Sequence, residues 1–159
     1  MPLTHLNEKG EARIVDIGDK AATRRRAVAE ALLVAKPETI AAITGGTLKK
    51  GDAIAVARVA GIMAAKKTSD LVPLCHPIPL TSISLDIEPA DGALRITATA
   101  ETTGQTGVEM EALTAVSIAA LTLYDMAKAM DRGMRVDGLE LVEKTGGKSG
   151  DYQRGSDRR

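Results

Sequence analysis

No phenylalanine and no tryptophan occur in the 159 residues, and Tyr124 and Tyr152 are the only aromatic rings besides two imidazoles. A core must therefore be filled with Ala, Val, Ile, Leu and Met, whose small members let elements approach closely but bury little apolar area each. Association of copies recovers such area, so an assembly is expected over a monomer. The same shortage leaves almost nothing on which bases can stack. With 21 basic against 21 acidic residues the net charge is zero, and both facts argue against a general nucleic-acid binder.

Cys75 is the single cysteine, so no internal disulfide forms and a reducing compartment is consistent. His5 and His76 are the only histidines. A zinc site needs three or four ligands, so no metal is expected. The start, Met1-Pro2-Leu3-Thr4-His5, lacks the charged and apolar pattern of a secretory signal. The longest apolar stretch, Ala112 to Leu123, is short for a bilayer and carries Thr114, Ser117 and Thr122. A soluble, cytoplasmic protein is expected.

What is present suits one domain with one core: 159 residues, 44% hydrophobic and 26% charged. Ile83, Leu85 and Ile87 alternate with polar residues from Leu80 to Glu88, the period of a half-buried strand. Pro89-Ala90-Asp91-Gly92 reads as a turn. Leu94, Ile96, Ala98 and Ala100 then alternate on the returning strand of a hairpin. Gly51 to Lys67 reads as a helix with Val56, Val59, Ile62 and Met63 on its apolar side and Lys66 extending that side. Pro37 to Ile43 is a shorter helix closed by Gly45-Gly46. The alanine-rich Arg26–Val34 is read as a strand, and Leu139 to Val142 as the last one.

The segment Gln105 to Ala115 reads as a glycine turn feeding a long helix. Its charges gather at the ends: Glu109 and Glu111 before the uncharged run, Asp125 and Lys128 after it. Strand, helices, hairpin, long helix, strand is the ferredoxin-like order, an α+β fold with helices on one face of an antiparallel sheet. Residues 1–20 form an N-terminal arm, 21–152 the single domain, and 153–159 a tail expected to be disordered. At ~1.5 Å per residue, Glu111 and Asp125 stand roughly 21 Å apart along the helix. If both ends carry chemistry, one chain cannot bring them to one substrate molecule, and a site shared between subunits follows.

The proline-rich Asp70–Pro79 presents Cys75 and His76 from a stiff loop. Neighbours in an extended loop point apart, which disfavours a cysteine nucleophile. Cys75 fits a small buried hydrophobe; His76 fits a spacer or a ligand donor equally. Asp125 and Lys128, three apart on a helix, form a surface ion pair or an acid/base pair, and spacing alone favours the first. Glu109 and Glu111 suit a first helical turn by the dipole and point to different sides. Lys144-Thr145-Gly146-Gly147-Lys148-Ser149 fails the Walker pattern, which would require glycine at Val142, yet Lys144 and Lys148 on a glycine-rich segment can close over an anion. Arg25, Lys50, Lys66, Lys128, Lys144 and Lys148, with carboxylates and a histidine, suit a polyphosphate substrate whose conversion needs proton transfers.

Lys50-Gly51-Asp52, Ala64-Ala65-Lys66-Lys67-Thr68, Leu71-Val72-Pro73-Leu74-Cys75-His76-Pro77, Thr106 through Ala115, Tyr124-Asp125-Met126-Ala127-Lys128-Ala129 and Gly146-Gly147-Lys148-Ser149-Gly150 together resemble the MoaC family, the cyclic pyranopterin monophosphate synthases of molybdenum-cofactor biosynthesis. The resemblance runs from about residue 4 to residue 152. It implies a ferredoxin-like subunit in a hexamer of three dimers with active sites at subunit interfaces. It also implies a lyase that converts 3′,8-cyclo-7,8-dihydroguanosine triphosphate to cyclic pyranopterin monophosphate and diphosphate, with no redox cofactor.

By the same resemblance Asp125 is the catalytic aspartate, Lys128 its acid/base neighbour, and Lys50 a further catalytic lysine. Leu74, Cys75, His76, Met110 and Glu111 match substrate-binding stretches, with Glu109, Lys66, Lys144 and Lys148 near the substrate and Arg25 on phosphate. Ser69 stands where some members carry a bulky aromatic. Mixed inactive Lys50 and Lys128 variants should regain activity if the two residues come from different subunits, and fail to do so if the site lies within one chain. Two other classes compete: a non-catalytic nucleotide-binding module, whose Asp125 and Lys128 variants would change affinity and not turnover, and a lysine Schiff-base lyase, which borohydride would trap.

Overall fold

The computed structural model describes residues 5–155. A five-stranded sheet has the spatial order β2-β3-β1-β4-β5, and every neighbouring pair is antiparallel. The strands are β1 (Thr23–Val34), β2 (Ser82–Ala90), β3 (Ala93–Gly104), β4 (Arg135–Thr145) and the short β5 (Tyr152–Gln153). Helices α1 (Pro37–Thr44), α2 (Ala53–Lys66), the single-turn α3 (Thr68–Leu71) and α4 (Glu109–Ala127) complete the chain. The ferredoxin-like α+β architecture is therefore present, with β5 added beside β4.

Alternation explains the sheet. Ala27, Ala29, Ala31 and Leu33 of β1 and Leu94, Ile96, Ala98 and Ala100 of β3 face the helices and are fully buried. The opposite face carries an ion-pair ladder in which Arg154 bridges Glu30 and Glu140, and Arg26 meets Glu101 and Glu143. The β2–β3 hairpin is tighter than expected. Pro89 and Ala90 stay in the strand, and Ala90 pairs with Ala93 across Asp91-Gly92. Pro89 is tolerated there because β2 is an edge strand, and Gly92 supplies the positive φ of 67°. Strand β1 begins three residues before the expected Arg26. β4 runs from Arg135 to Thr145, longer than Leu139–Val142 on both sides, and its register against β1 shifts twice.

Helices α2 and α4 pack against each other through small side chains, and here one expectation fails. Val56, Val59 and Met63 are not in the core; they are 46, 56 and 53% exposed. The packed face is Ala53, Ala57, Gly61, Ala64 and Ala65, set against Ala112, Ala115 and Ala119 of α4. The physical reason is close approach. A Cβ on Gly61 would lie 2.6 Å from Leu85 Cδ2 and 2.9 Å from the Ala115 carbonyl oxygen. Larger residues do not fit there, so the bulkier stripe is left outside. Ile62 alone of the expected set is partly buried against the core.

Capping fixes the ends near the site. The Asp52 carboxylate accepts from the Ala55 N–H at 3.1 Å and starts α2. The buried Asp131 accepts from the Lys36 N–H at 2.9 Å, the Thr39 hydroxyl at 3.1 Å and the Gly133 N–H at 3.1 Å. It ties the turn after α4 to the start of α1. By length and composition α4 could cross a membrane, but half of that stretch is buried inside the fold; it is the central core helix.

The chain stays paired past Tyr152: Gln153 pairs with Glu143, and Arg154 holds Glu30 and Glu140. Residues 156–159 of the expected tail, and residues 1–4 of the expected arm, lie outside the described residues.

Candidate active site

Side chains with chemistry gather at the two ends of α4. At the C-terminal end, Lys128 Nζ lies 2.9 Å from Asp125 Oδ1 and Lys50 Nζ lies 3.4 Å from Asp125 Oδ2. Lys50 also donates to the Asp125 carbonyl at 3.3 Å. Lys128 is the residue at the helix C-cap, where the dipole favours a cation. Lys50 arrives because Gly51, at φ 108°, turns the chain into α2 just before the Asp52 cap. The hydrogen bond from Lys128, followed by that from Lys50, holds the Asp125 carboxyl below its usual range. The same bond to Asp125 raises Lys128. At rest the trio is a carboxylate between two lysines, with Lys128 an ammonium able to give a proton.

One chain therefore brings Lys50 and Lys128 together. Both contact the same Asp125, so of the two outcomes left open for mixed Lys50 and Lys128 variants this geometry favours no complementation. The loop before α2 reaches the far end of α4 once these helices run antiparallel.

The N-terminal end of α4 collects the remaining candidates. Glu111 is 2% exposed, and its Oε1 has no hydrogen-bond partner among the described residues. Burial raises its carboxyl to about 7, with Glu109 adding to the rise. The Cys75 thiol lies 3.8 Å from Glu111 Oε2. Burial first, then Glu111, raises that thiol to about 11, so it is no thiolate near neutral pH. His76 has a different partner: Nε2 bonds the Val15 carbonyl. A carbonyl only accepts, so Nε2 carries a proton in this bond. The two loop residues bond different partners while lining one cleft.

Several clefts adjoin this end. One of about 490 Å³ is lined by Lys20, Arg25, Glu109, Lys144 and Lys148 among others. A second, of about 400 Å³, is lined by His5, Leu74, Cys75, His76 and Met110. They share Thr106, Gly107 and Glu109 as a common wall. Lys66, Ser69 and Glu111 line a third, of about 260 Å³.

Backbone conformation shapes the basic cleft. Gly147, at φ 89°, brings its backbone so near Arg25 that a Cβ would fall 2.2 Å from Nη1. Arg25 is itself largely buried and donates through Nε to the Gly104 carbonyl at 3.0 Å. Lys144 pairs with Glu109 at 3.4 Å, so Glu109 and Glu111 serve different partners. Among the described residues no three His, Cys, Asp or Glu side chains converge as a metal site would require.

Of the sequence candidates, the structure unites Lys50, Asp125 and Lys128 at one end. It gathers Arg25, Lys66, Leu74, Cys75, His76, Glu109, Met110, Glu111, Lys144 and Lys148 at the other. Lys20 and His5, both from the arm, line the clefts without having been singled out. No local pattern marks them; their place follows from the arm crossing this end.

The model of the MoaC family matches residues 14–147. Proteins named cyclic pyranopterin monophosphate synthase from two strains of Chloroflexus aurantiacus, J-10-fl and Y-400-fl, are each 60% identical over 154 residues, covering 96% of this chain and 94% of theirs. The chain belongs to the MoaC family. The matched span includes both ends of α4 and the loop of Cys75 and His76, so both clusters lie within the family region except for Lys148.

Proposed function

We propose that this chain is a lyase of molybdenum-cofactor biosynthesis that converts 3′,8-cyclo-7,8-dihydroguanosine triphosphate to cyclic pyranopterin monophosphate and diphosphate. The observation that carries the reading is the 60% identity with two synthases over nearly the whole length of both proteins. The substrate is nucleotide-derived, and the basic cleft has the chemistry to hold its phosphates.

In this reading Arg25, Lys144 and Lys148 bind the triphosphate and relieve charge repulsion as the innermost phosphorus is attacked and diphosphate leaves. Leu74, Cys75, His76 and Met110 hold the ring system, with Lys66, Glu109 and Glu111 beside it. Lys128, held by Asp125 and aided by Lys50, moves protons as the guanine-derived ring opens and the new ring closes; such groups contribute about 10²–10⁴-fold.

The ends of α4 are roughly 21 Å apart, so a site using both draws one end from each of two copies. A hexamer of three dimers with interfacial sites provides this. The exposed Val56, Val59 and Met63, together with Leu121 and Leu139, are apolar surface that such contacts would cover. A cytoplasmic location suits a lone free thiol at Cys75.

The test is a single-turnover incubation of the chain with the cyclo-dihydroguanosine triphosphate, followed by mass spectrometry. Stoichiometric diphosphate with the pyranopterin product is expected. Tight binding without product would make the chain a ligand-binding module on this fold.

A further inference from the structure

The segment before β1 is built into the site. Within it the Gly18 N–H bonds Asp16 Oδ1 at 2.8 Å and the Lys20 N–H bonds the Ile17 carbonyl at 3.0 Å, a closed turn. One side-chain amide holds this turn from outside. Gln105 Nε2, in the loop between β3 and α4, donates to the Lys20 carbonyl at 3.2 Å and reaches the Gly18 carbonyl at 3.5 Å. The turn so held sets Lys20 on the rim of the basic cleft, beside Arg25, Lys144 and Lys148.

Charge in that cleft is unbalanced. Four cations face one carboxylate, Glu109, and that carboxylate is paired with Lys144. Arg25 is engaged through Nε with a carbonyl. Lys20 is exposed and has no acidic partner among the described residues. An exposed ammonium on a hydrogen-bonded backbone, at the mouth of an anion cleft, is suited to close on a phosphate oxygen.

We propose that Lys20 is a further substrate-binding residue that contacts the polyphosphate chain, and that Gln105 is a positioning residue acting through it. The inference rests on reading the basic cleft as the triphosphate site. The Gln105 side chain bonds the arm and does not line the cleft, so its amide reaches the cleft through the Lys20 backbone it holds. Removing the amide leaves the lysine present but its backbone unheld.

The test is a double-mutant cycle on the full chain, with inorganic triphosphate as the probe and calorimetry at fixed salt as the readout. Lys20→Ala should weaken binding about 10-fold or more, the range for a lost charge-assisted hydrogen bond. Lys20→Arg should restore most of it. Gln105→Ala should weaken binding less, and should add nothing in the Lys20→Ala background, the non-additivity expected of residues acting as a unit. Unfolding midpoints equal to wild type exclude a loss of fold as the cause.

Unchanged affinity in Lys20→Ala, an additive loss in the double variant, or no triphosphate binding by the wild-type chain would each overturn the proposal. Turnover of the cyclo-dihydroguanosine triphosphate, measured alongside, separates the two readings. Product formation with Lys20→Ala binding as wild type leaves the reaction standing and removes Lys20. Lost affinity in a chain that makes no product leaves the anion contact and removes the reaction.

Discussion

The Lys128 ammonium lies 2.9 Å from Oδ1 of Asp125, and Oδ2 is left to Lys50 at 3.4 Å. The pair does more than decorate a helix end, because the carboxylate raises Lys128 and keeps it protonated. Asp125→Asn is expected to lower kcat by about 10²–10⁴-fold. It should also move the basic limb of the pH–rate profile to lower pH, since the lysine loses the anion that holds its proton. A basic limb that stays in place would show that Lys128 titration does not limit the rate.

Glu111 makes stability depend on pH. Its carboxyl rises from 4.5 to about 7 on folding, chiefly through burial, so the native state binds this proton more tightly than the unfolded chain. The contribution is fully present below the unfolded value and is lost as pH rises through about 7. Its size is at most about 3 kcal/mol. Thermal unfolding of the wild type should therefore weaken from pH 5 to pH 8, whereas Glu111→Gln, which carries no charge, should flatten that slope and be the more stable at pH 8. Parallel slopes for the two proteins would contradict the assignment.

Gly61 is where the helix pair would feel a single added methyl. Gly61→Ala should gain some intrinsic helix propensity, yet it meets Leu85 and the Ala115 carbonyl at 2.6 and 2.9 Å. Overpacking of this kind costs about 1–3 kcal/mol. Urea unfolding should show a lower midpoint with the slope unchanged. A higher midpoint would mean that α2 and α4 are free to move apart.

How much could be read beforehand varies with the physics of each element. The β2–β3 hairpin was legible because Ile83 to Ala100 alternate cleanly and one face must be buried. The packed face of α2 was not, because a search for bulky apolar side chains follows Val56, Val59 and Met63, while close packing selects Ala57, Gly61 and Ala64. Likewise Tyr152 and Gln153 show no strand pattern of their own; they pair only because β4 offers them an edge.

The site divides in the same way. The residue types around Cys75, Glu111 and Asp125 were visible through the resemblance to the family. The meeting of Lys50 with Asp125 was not, since it depends on α2 and α4 running antiparallel. The arm's part was hidden too, because the bonds from Gln105 to Gly18 and Lys20 span most of the domain in sequence.

We propose that the two ends of α4 form one site only between copies, with Lys50, Asp125 and Lys128 acting as one half. The most direct measurement is activity after subunit exchange between inactive variants. Asp125→Ala mixed with Lys144→Ala should recover part of the wild-type rate, because some interfaces then pair an intact half from each chain. Lys50→Ala mixed with Lys128→Ala should recover none, since both lesions fall in the same half. Recovery by the second mixture, or none by the first after exchange is verified, would contradict the division of the site.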